Sequence, residues 1–442
     1  MPAARSEIPA REGRRSLAVL LGANVVSVAG NMLTLVAVPW FVLTTTGSAA
    51  RAGLVAFAAT VPVVVAALLG GPLIDRIGFA VTSVVSDVVC AGAVAAVPLL
   101  HLAGALSYPR LLALVAVSGL FHAPGETARG VLMPRLATRA GITIQRASSA
   151  YEGASRGARM LGAPLAGVLI AAIGAANVLL LDAATFAVSA LLIGWGVQDG
   201  RPEPEPEPER KGPTLAGYRE ELREGYAYLF AARLLFAIVV RVMVTNALDQ
   251  AWSAVLLPVD AREHLGGSVS IGVVSGTMGA AALTGSLLYG VFGHRLPQRG
   301  LYIGAFLIAG FPRTAVGAFV PGLAPLVATV AVCGLAAGVL NPMIGSEMAR
   351  LVPERLRSRV YGAVTSGVLV AVPLGGLLSG YLVQYAGLRT AMATVSALYL
   401  LTTLSPLVLP AFRQWGPTGA VAGTVEASAG RGRLAGAERG EG

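Results

Sequence analysis

The sequence predicts an all-α membrane protein of twelve transmembrane helices in two six-helix bundles related by pseudo-symmetry. Three observations predict it. Of 442 residues, 55% are hydrophobic and only 13% are charged, which is apolar material for about twelve spans of about 20 residues each. The apolar runs fall in two sets of six on either side of a Pro-Glu tract. Short motifs of the first set recur in the second at a nearly constant offset. A soluble chain would have to hide that apolar mass in cores larger than a single domain builds.

In chain order, residues 1–16 are polar and Arg-rich and read as an N-terminal arm. The apolar run at 17–43 is too long for the core of a signal peptide and is expected to stay as the first helix. Runs near 53–74, 80–100, 108–122, 147–173 and 176–197 complete a bundle over 17–197. Residues 198–233 form a connector. Its Pro202–Glu209 stretch repeats Pro-Glu four times, a pattern that stays extended and solvated at about 3 Å per residue. Thr214–Arg233, polar and then increasingly apolar, fits a helix lying on the membrane surface. Runs near 234–257, 268–292, 300–320, 323–343, 362–383 and 389–411 make a second bundle over 234–411. The Gly-, Ala- and Arg-rich residues 412–442 are expected to form a disordered tail.

Charge fixes the expected orientation. If the N-terminus is cytoplasmic, 25 of the 33 Lys and Arg residues fall in cytoplasmic segments. Only Arg51, Arg110, Arg262 and Arg389 fall outside, and the remaining four lie within spans. That asymmetry predicts a multi-pass protein of the cell membrane with both termini cytoplasmic. It also accounts for the net charge of +10 without a nucleic-acid partner, since no basic stripe interleaved with aromatics is present. Cys90 and Cys333 both sit in apolar runs and have no metal-ligand spacing, so they read as packed thiols. No cofactor or metal is expected.

The internal repeat is legible in motifs. Gly71-Pro-Leu-Ile-Asp75-Arg76 parallels Gly290-Val-Phe-Gly-His294-Arg295, and Pro134-Arg135-Leu136 parallels Pro353-Glu354-Arg355-Leu356. Gly153 and Pro164 parallel Gly362 and Pro373. Two parallel six-span repeats joined by a long connector are an architecture of secondary transporters.

Residues 71–78, with Gly71, Asp75, Arg76 and Gly78, resemble the G-x-x-x-D-R-x-G loop signature of the major facilitator superfamily. Gly162-Ala163-Pro164-Leu-Ala-Gly167, Asn177–Ser189 with Asp182, and Arg359-Val-Tyr-Gly362 leading to Pro373-Leu-Gly-Gly376 are similar to its drug-efflux branch containing enterobactin and macrolide exporters. The resemblance spans about residues 17–411. It implies the major facilitator fold and an antiporter-like motif in span 5 at Gly162, Pro164 and Gly167. It also implies a central cavity lined by spans 1, 4, 7 and 10. Three positions depart from the pattern. Phe79-Ala80 replaces the basic pair usual after Gly78, Ala163 stands where a Gly is usual, and span 4 shows no Arg-centred motif, Arg110 lying too near its outer end. Physically, Asp75 can accept hydrogen bonds from a neighbouring helix N-terminus and Arg76 can pair with an acid across a gate. The pair can therefore act as a latch or as a mere topological anchor.

Charges at membrane depth are expensive and mark candidate function. Span 7 carries Arg241, Thr245, Asp249 and Trp252 on one continuous stripe, bordered by Asn246. Asp249 is the best candidate for a protonatable cavity carboxylate, the alternative being an acid tied structurally to Arg241 or another base. Asn24, Ser27 and Asn31 share a face of span 1 and can bind substrate or hold helices together. Glu152 and Arg156, one turn apart on span 5, are expected to pair. Asp87 lies within reach of Arg156 or Arg159, and Asp182 reads as mainly structural. Phe121, His122 and Asn341 sit low in spans 4 and 10, while Trp40 and Trp252 are the aromatics expected to face the cavity. Arg313 falls either mid-span or in an early turn.

These features predict a secondary active transporter and no enzyme. The expected activity is export of a small, moderately apolar compound (a drug, antibiotic or siderophore-like molecule) by alternating access. Protons are the expected coupling ion, and the chain is expected to act as a monomer in the lipid bilayer. Movement of a lipid or lysolipid by the same fold is the alternative. A prenyl- or glycosyl-transferase would need clustered carboxylates for Mg²⁺-diphosphate or a nucleophile–base set, and neither pattern occurs.

Overall fold

A computed structural model describes residues 10–69, 74, 77–197, 223, 226–353, 356–409 and 412. Twelve helices long and apolar enough to cross a membrane run through them, and there is no strand among the described residues. They are α1 (Ala10–Thr46), α2 (Ala49–Leu69), α3 (Phe79–Leu102), α4 (Tyr108–Arg139), α5 (Ile144–Ile173) and α6 (Ala175–Gly196) in the first half. The second half has α7 (Arg233–Glu263), α8 (Ser268–Phe292), α9 (Gln298–Phe319), α10 (Leu323–Leu351), α11 (Arg357–Ala386) and α12 (Leu388–Val408). With an even number of successive crossings, the start of α1 and the end of α12 lie on one face. The connector at 198–222 and the tail from 413 lie outside the described residues. So do most of the expected surface helix, of which 226–231 are helical, and the first nine residues of the arm, the rest of which belongs to α1.

The repeat extends to the backbone. A single glycine turns α5 into α6 at Gly174 (φ 81°) and α11 into α12 at Gly387 (φ 83°). Those dihedrals are open to glycine but strained for other residues, so each half closes its last hairpin in the same way.

Several helices outrun the apolar runs that announce them, α4 the most. α4 continues 17 residues beyond the expected end at 122, and α7 and α10 also extend further. Lipid exposure sets how long a run must be apolar, whereas a stretch facing other helices carries polar residues without leaving the helix. α7 widens into a π-turn at Trp252–Leu256. Pro258 lies just beyond, where it lacks the N–H that the preceding turn would need. α9 is broken at Gly310 into Gln298–Ala309 and Phe311–Phe319.

Within the first half, α1 packs on α5 and α6, and α3 on α4 and α6. In the second, α7 packs on α11, α8 on α10 and α9 on α12. The halves meet along two seams, α2 with α11 and α5 with α8.

A central cavity walled by two charged clusters

Both seams close on the face away from the termini. A Cβ on Gly53 of α2 would lie 2.5 Å from the carbonyl oxygen of Gly376 on α11, and one on Gly167 of α5 would lie 2.6 Å from that of Ser268 on α8. Backbones that close leave no route between them. Hydrogen bonds reinforce the seal. Arg262 Nη1 donates to the Leu43 carbonyl (2.7 Å), Ser268 Oγ to the Gly167 carbonyl (3.1 Å) and Ser48 Oγ to Gln384 Oε1 (2.8 Å).

Three adjoining cavities lie within the bundle. A mouth of about 390 Å³ between α4 and α5 is lined by Tyr151, Glu152 and Arg156 among others. Val63, Glu126 and Arg159 join it to a central chamber of about 420 Å³, walled largely by Val, Leu and Ala with Asn31, Thr34 and His122. Gln250 and Val372 join that chamber to a third cavity of about 390 Å³ in the second half, bounded by Asn246, Asp249, Trp252 and Arg313. The path is mostly apolar with a few convergent polar groups, the usual make-up of a small-molecule site.

The broken helix builds the charged wall of the third cavity. Gly310 leaves room for the Tyr399 ring, which occupies the space a Cβ would take. Tyr399 reaches from α12 with its hydroxyl 3.4 Å from Asp249 Oδ1. Ser396 Oγ donates to the Phe311 carbonyl (3.3 Å) beside the break. The break also aims Arg313, at the start of the second segment, at Asp249, and Arg313 Nη2 donates to Asp249 Oδ1 in an ion pair. Arg313 lies over the Trp252 ring, 5.5 Å from its centre. The two charges are unequally placed: the Arg313 side chain is 7% exposed and that of Asp249 47%, opening into the cavity.

In the first half, α4 supplies two charges that the apolar run does not foretell. Arg129 is fully buried and its Nη1 spans both oxygens of Asp87 at 3.0 and 3.1 Å. Ser189 Oγ (2.6 Å) and Ser27 Oγ (3.4 Å) also donate to Asp87, so the carboxylate ties α1, α3, α4 and α6 together. Glu126 faces the cavity, paired with Arg159 and 3.8 Å from His122 Nε2. Asp182, fully buried on α6, accepts from the Thr34 and Thr185 hydroxyls, and Thr34 in turn lines the chamber.

The model of the major facilitator superfamily matches residues 20–249 and 239–430. The chain belongs to that superfamily. It is also 32% identical over 409 residues to the multidrug efflux pump Tap of Mycolicibacterium fortuitum, covering 91% of this chain and 97% of that protein. It is 31% identical over 399 residues to Tap of Mycobacterium tuberculosis (strain ATCC 25618 / H37Rv), covering 90% and 94%. Among solved structures, the nucleoside transporter NupG superposes with a TM-score of 0.70 at 13% identity, covering 88% of this chain and 98% of that one. At that identity the likeness concerns the fold alone. The protein is a membrane transporter, not an enzyme.

On this facilitator fold the expected site residues disperse. Asn31, Asn246, Asp249 and Trp252 line the cavities. Trp40 is half-buried between hydrophobic clusters of the two halves. Asn24 does not face the cavity: its Nδ2 donates to Ser155 Oγ (2.7 Å) and its Oδ1 accepts from Tyr151 (3.0 Å), joining α1 to α5. Thr245 Oγ1 is spent on the Arg241 carbonyl of its own helix (3.1 Å). Arg241 shares a stripe with Asp249 but not a partner. It turns between α9 and α12, onto the rings of Phe306 (4.1 Å) and Tyr302 (4.8 Å), with Nη2 donating to the Thr403 carbonyl (3.0 Å).

The remaining expectations resolve in the same way. Asp87 pairs with Arg129 rather than with Arg156 or Arg159. Glu152 and Arg156 approach only to 3.9 Å, at 65% and 79% exposure, too open for a strong pair. His122 borders the chamber, Phe121 packs against the first-half core, and Asn341 is exposed. Gly162 abuts Met32 of α1, while Pro164 and Gly167 form the α5–α8 seam against Gly272 and Gly276. Of the loop signature, Gly71, Asp75 and Arg76 lie outside the described residues. Gly78 precedes α3 at φ 96°. Among the described residues, no group of His, Cys, Asp and Glu side chains gathers that could hold a metal, and Cys90 and Cys333 are buried free thiols.

Proposed function

We propose that this transporter is a proton-coupled exporter of small, moderately apolar compounds, working as a monomer in the cell membrane with both termini cytoplasmic. The observation that carries the reading is the chain of apolar cavities ending on the Asp249–Arg313 pair. Its mouth opens on the face that the Lys and Arg distribution assigns to the cytoplasm, which is where an exporter loads. The similarity to multidrug efflux pumps supports drug-like cargo. A cavity of several hundred Å³ with few polar groups suits varied apolar compounds.

The pair supplies the coupling. While Asp249 is ionised it holds Arg313 and with it the second segment of α9. A proton taken up on Asp249 removes the negative charge, and the Arg313 guanidinium, still charged, is released toward Trp252. Proton uptake from outside and its loss to the cytoplasm would then drive the two arrangements in turn, with substrate leaving in one of them. Latching by Asp75 and Arg76 at the cytoplasmic face belongs to the same proposal.

The test is efflux of a fluorescent apolar dye from energised cells, with and without a protonophore. The proposal expects collapse of efflux with the protonophore, and loss of at least tenfold in rate for Asp249→Asn at unchanged expression. If Asp249→Asn and Asp75→Asn both leave efflux intact, the site assignment is wrong. If wild-type efflux ignores the protonophore, proton coupling is wrong.

A further inference from the structure

Arg241 has no place in the cavity, and its surroundings point elsewhere. Its side chain is 2% exposed. A guanidinium offers five N–H donors; Nη2 donates to the Thr403 carbonyl and the Tyr302 hydroxyl is close enough to interact, while Nε and Nη1 meet no well-placed acceptor. No carboxylate among the described residues pairs with it. The Phe306 and Tyr302 rings offset part of the charge, but ring faces do not replace acceptors in the plane of the guanidinium.

Arg241 also lines a crevice of about 520 Å³ between α7 and α12, shaped by Val240, Val244, Phe236 and Leu409 with Thr402 and Ser405 on the facing helix. Phe236 and Leu409 are exposed on the outer surface of the bundle. The crevice shares no lining residue with the three central cavities. Arg233, exposed at the first residue of α7, marks its mouth.

Depth decides what kind of anion could enter. The 31 residues of α7 span about 46 Å, against a hydrocarbon core of about 30 Å. The first turns of the helix therefore rise into the headgroup layer. Arg241, eight residues on, lies about 12 Å from the helix start, just beneath the headgroups. Two arginines on one apolar-walled groove that opens sideways suit a phosphate at the upper end of an acyl chain.

We propose that the α7–α12 crevice is a resident site for an anionic phospholipid, whose phosphate accepts hydrogen bonds from Arg241 and faces Arg233, with an acyl chain along Val240 and Val244. The lipid is a fixed partner and not cargo.

The test is native mass spectrometry of the full-length protein in detergent, with added dioleoyl-phosphatidylglycerol, dioleoyl-phosphatidylcholine or inorganic phosphate. The expected result is a phosphatidylglycerol adduct that resists activation and falls at least tenfold in Arg241→Gln. Two further variants read the crevice independently of the buried charge. Val240→Trp fills the groove with Arg241 intact and should abolish the adduct, and Arg233→Gln should weaken it severalfold. A thermal midpoint raised by phosphatidylglycerol in the wild type and unmoved in Val240→Trp would agree. An adduct unchanged in Arg241→Gln and Val240→Trp overturns the proposal, as does equal retention of phosphatidylcholine. Retention of inorganic phosphate alone shows an anion site without a lipid and overturns it equally.

Discussion

Arg313 meets Asp249 across a break in α9, from the first turn after Gly310, with Tyr399 as a third partner. The pair is lopsided, with the cation buried and the acid open to the cavity. Asp249→Asn leaves a buried guanidinium without its counter-ion. Complete burial would make that loss about 3–5 kcal/mol, and the exposure of Asp249 reduces it to about 1–3 kcal/mol. The expected outcome is a thermal midpoint several degrees lower in detergent. In Asp249→Asn/Arg313→Gln the loss should be smaller than the sum of the single losses. Strict additivity would show that the two do not interact.

Gly310 should tolerate no side chain. A Cβ there falls within the Tyr399 ring, so Gly310→Ala must push that ring off Asp249. Overpacking of this kind costs about 1–3 kcal/mol. Partial recovery in Gly310→Ala/Tyr399→Leu, as stability but not as efflux, is the expected pattern. A Gly310→Ala protein as stable and active as wild type would contradict the geometry.

Arg129 holds the first half together through Asp87, not through the cavity. Arg129→Met leaves a buried carboxylate with only hydroxyl donors and should destabilise the protein by about 3–5 kcal/mol, read as lost yield of monodisperse protein. Arg129→Met/Asp87→Asn should regain most of that yield.

The small-residue seams set which side is shut. Gly53→Val places methyls against the Gly376 and Gly380 backbone of α11 and should wedge the far face apart. A single cysteine at Ser275, in the cavity wall, in a protein whose two native cysteines are replaced, reads the result. Its labelling by an impermeant maleimide from outside the cell should rise severalfold in Gly53→Val and stay low otherwise.

Asp182 has hydroxyl partners and, among the described residues, no ion pair. An amide keeps both contacts with one reversed, its oxygen accepting from one hydroxyl and its Nδ2 donating to the other, so Asp182→Asn should fold within about 1 kcal/mol of wild type. Asp182→Leu leaves the Thr34 hydroxyl without its acceptor, while Thr185 keeps the carbonyl of residue 182 (2.8 Å), and should lose about 1–3 kcal/mol. Equal melting of the two variants would remove the hydrogen-bonding role.

The twelve spans and their division are legible because membrane crossing demands long apolar runs, and composition alone displays those. The interior charges are legible only in part. Asp249 can be placed on a cavity-facing stripe, but its partner, Arg313, is 64 residues away, beyond a helix break that no periodicity announces. Sharing a stripe with Arg241 is misleading: eight residues separate the two by about 12 Å along the axis, and χ angles send a long side chain to whichever neighbour suits it. Glu126 and Arg129 escape a reading by apolar runs, since the run ends at 122 and Pro124 follows. A usable signal is present nonetheless. Gly125, Ala128, Arg129, Leu132, Met133 and Leu136 keep helical spacing past that point, and all are buried on one side of α4.

The seams have a consequence for how the molecule switches. Among the described residues no ion pair joins one half to the other, and the closed face is sealed by glycine backbones and a few hydrogen bonds. Contacts of this kind are short-ranged and indifferent to dissolved salt. Opening of the closed face should therefore depend little on dissolved salt, whereas a latch through Asp75 and Arg76 on the opposite face would weaken as salt rises.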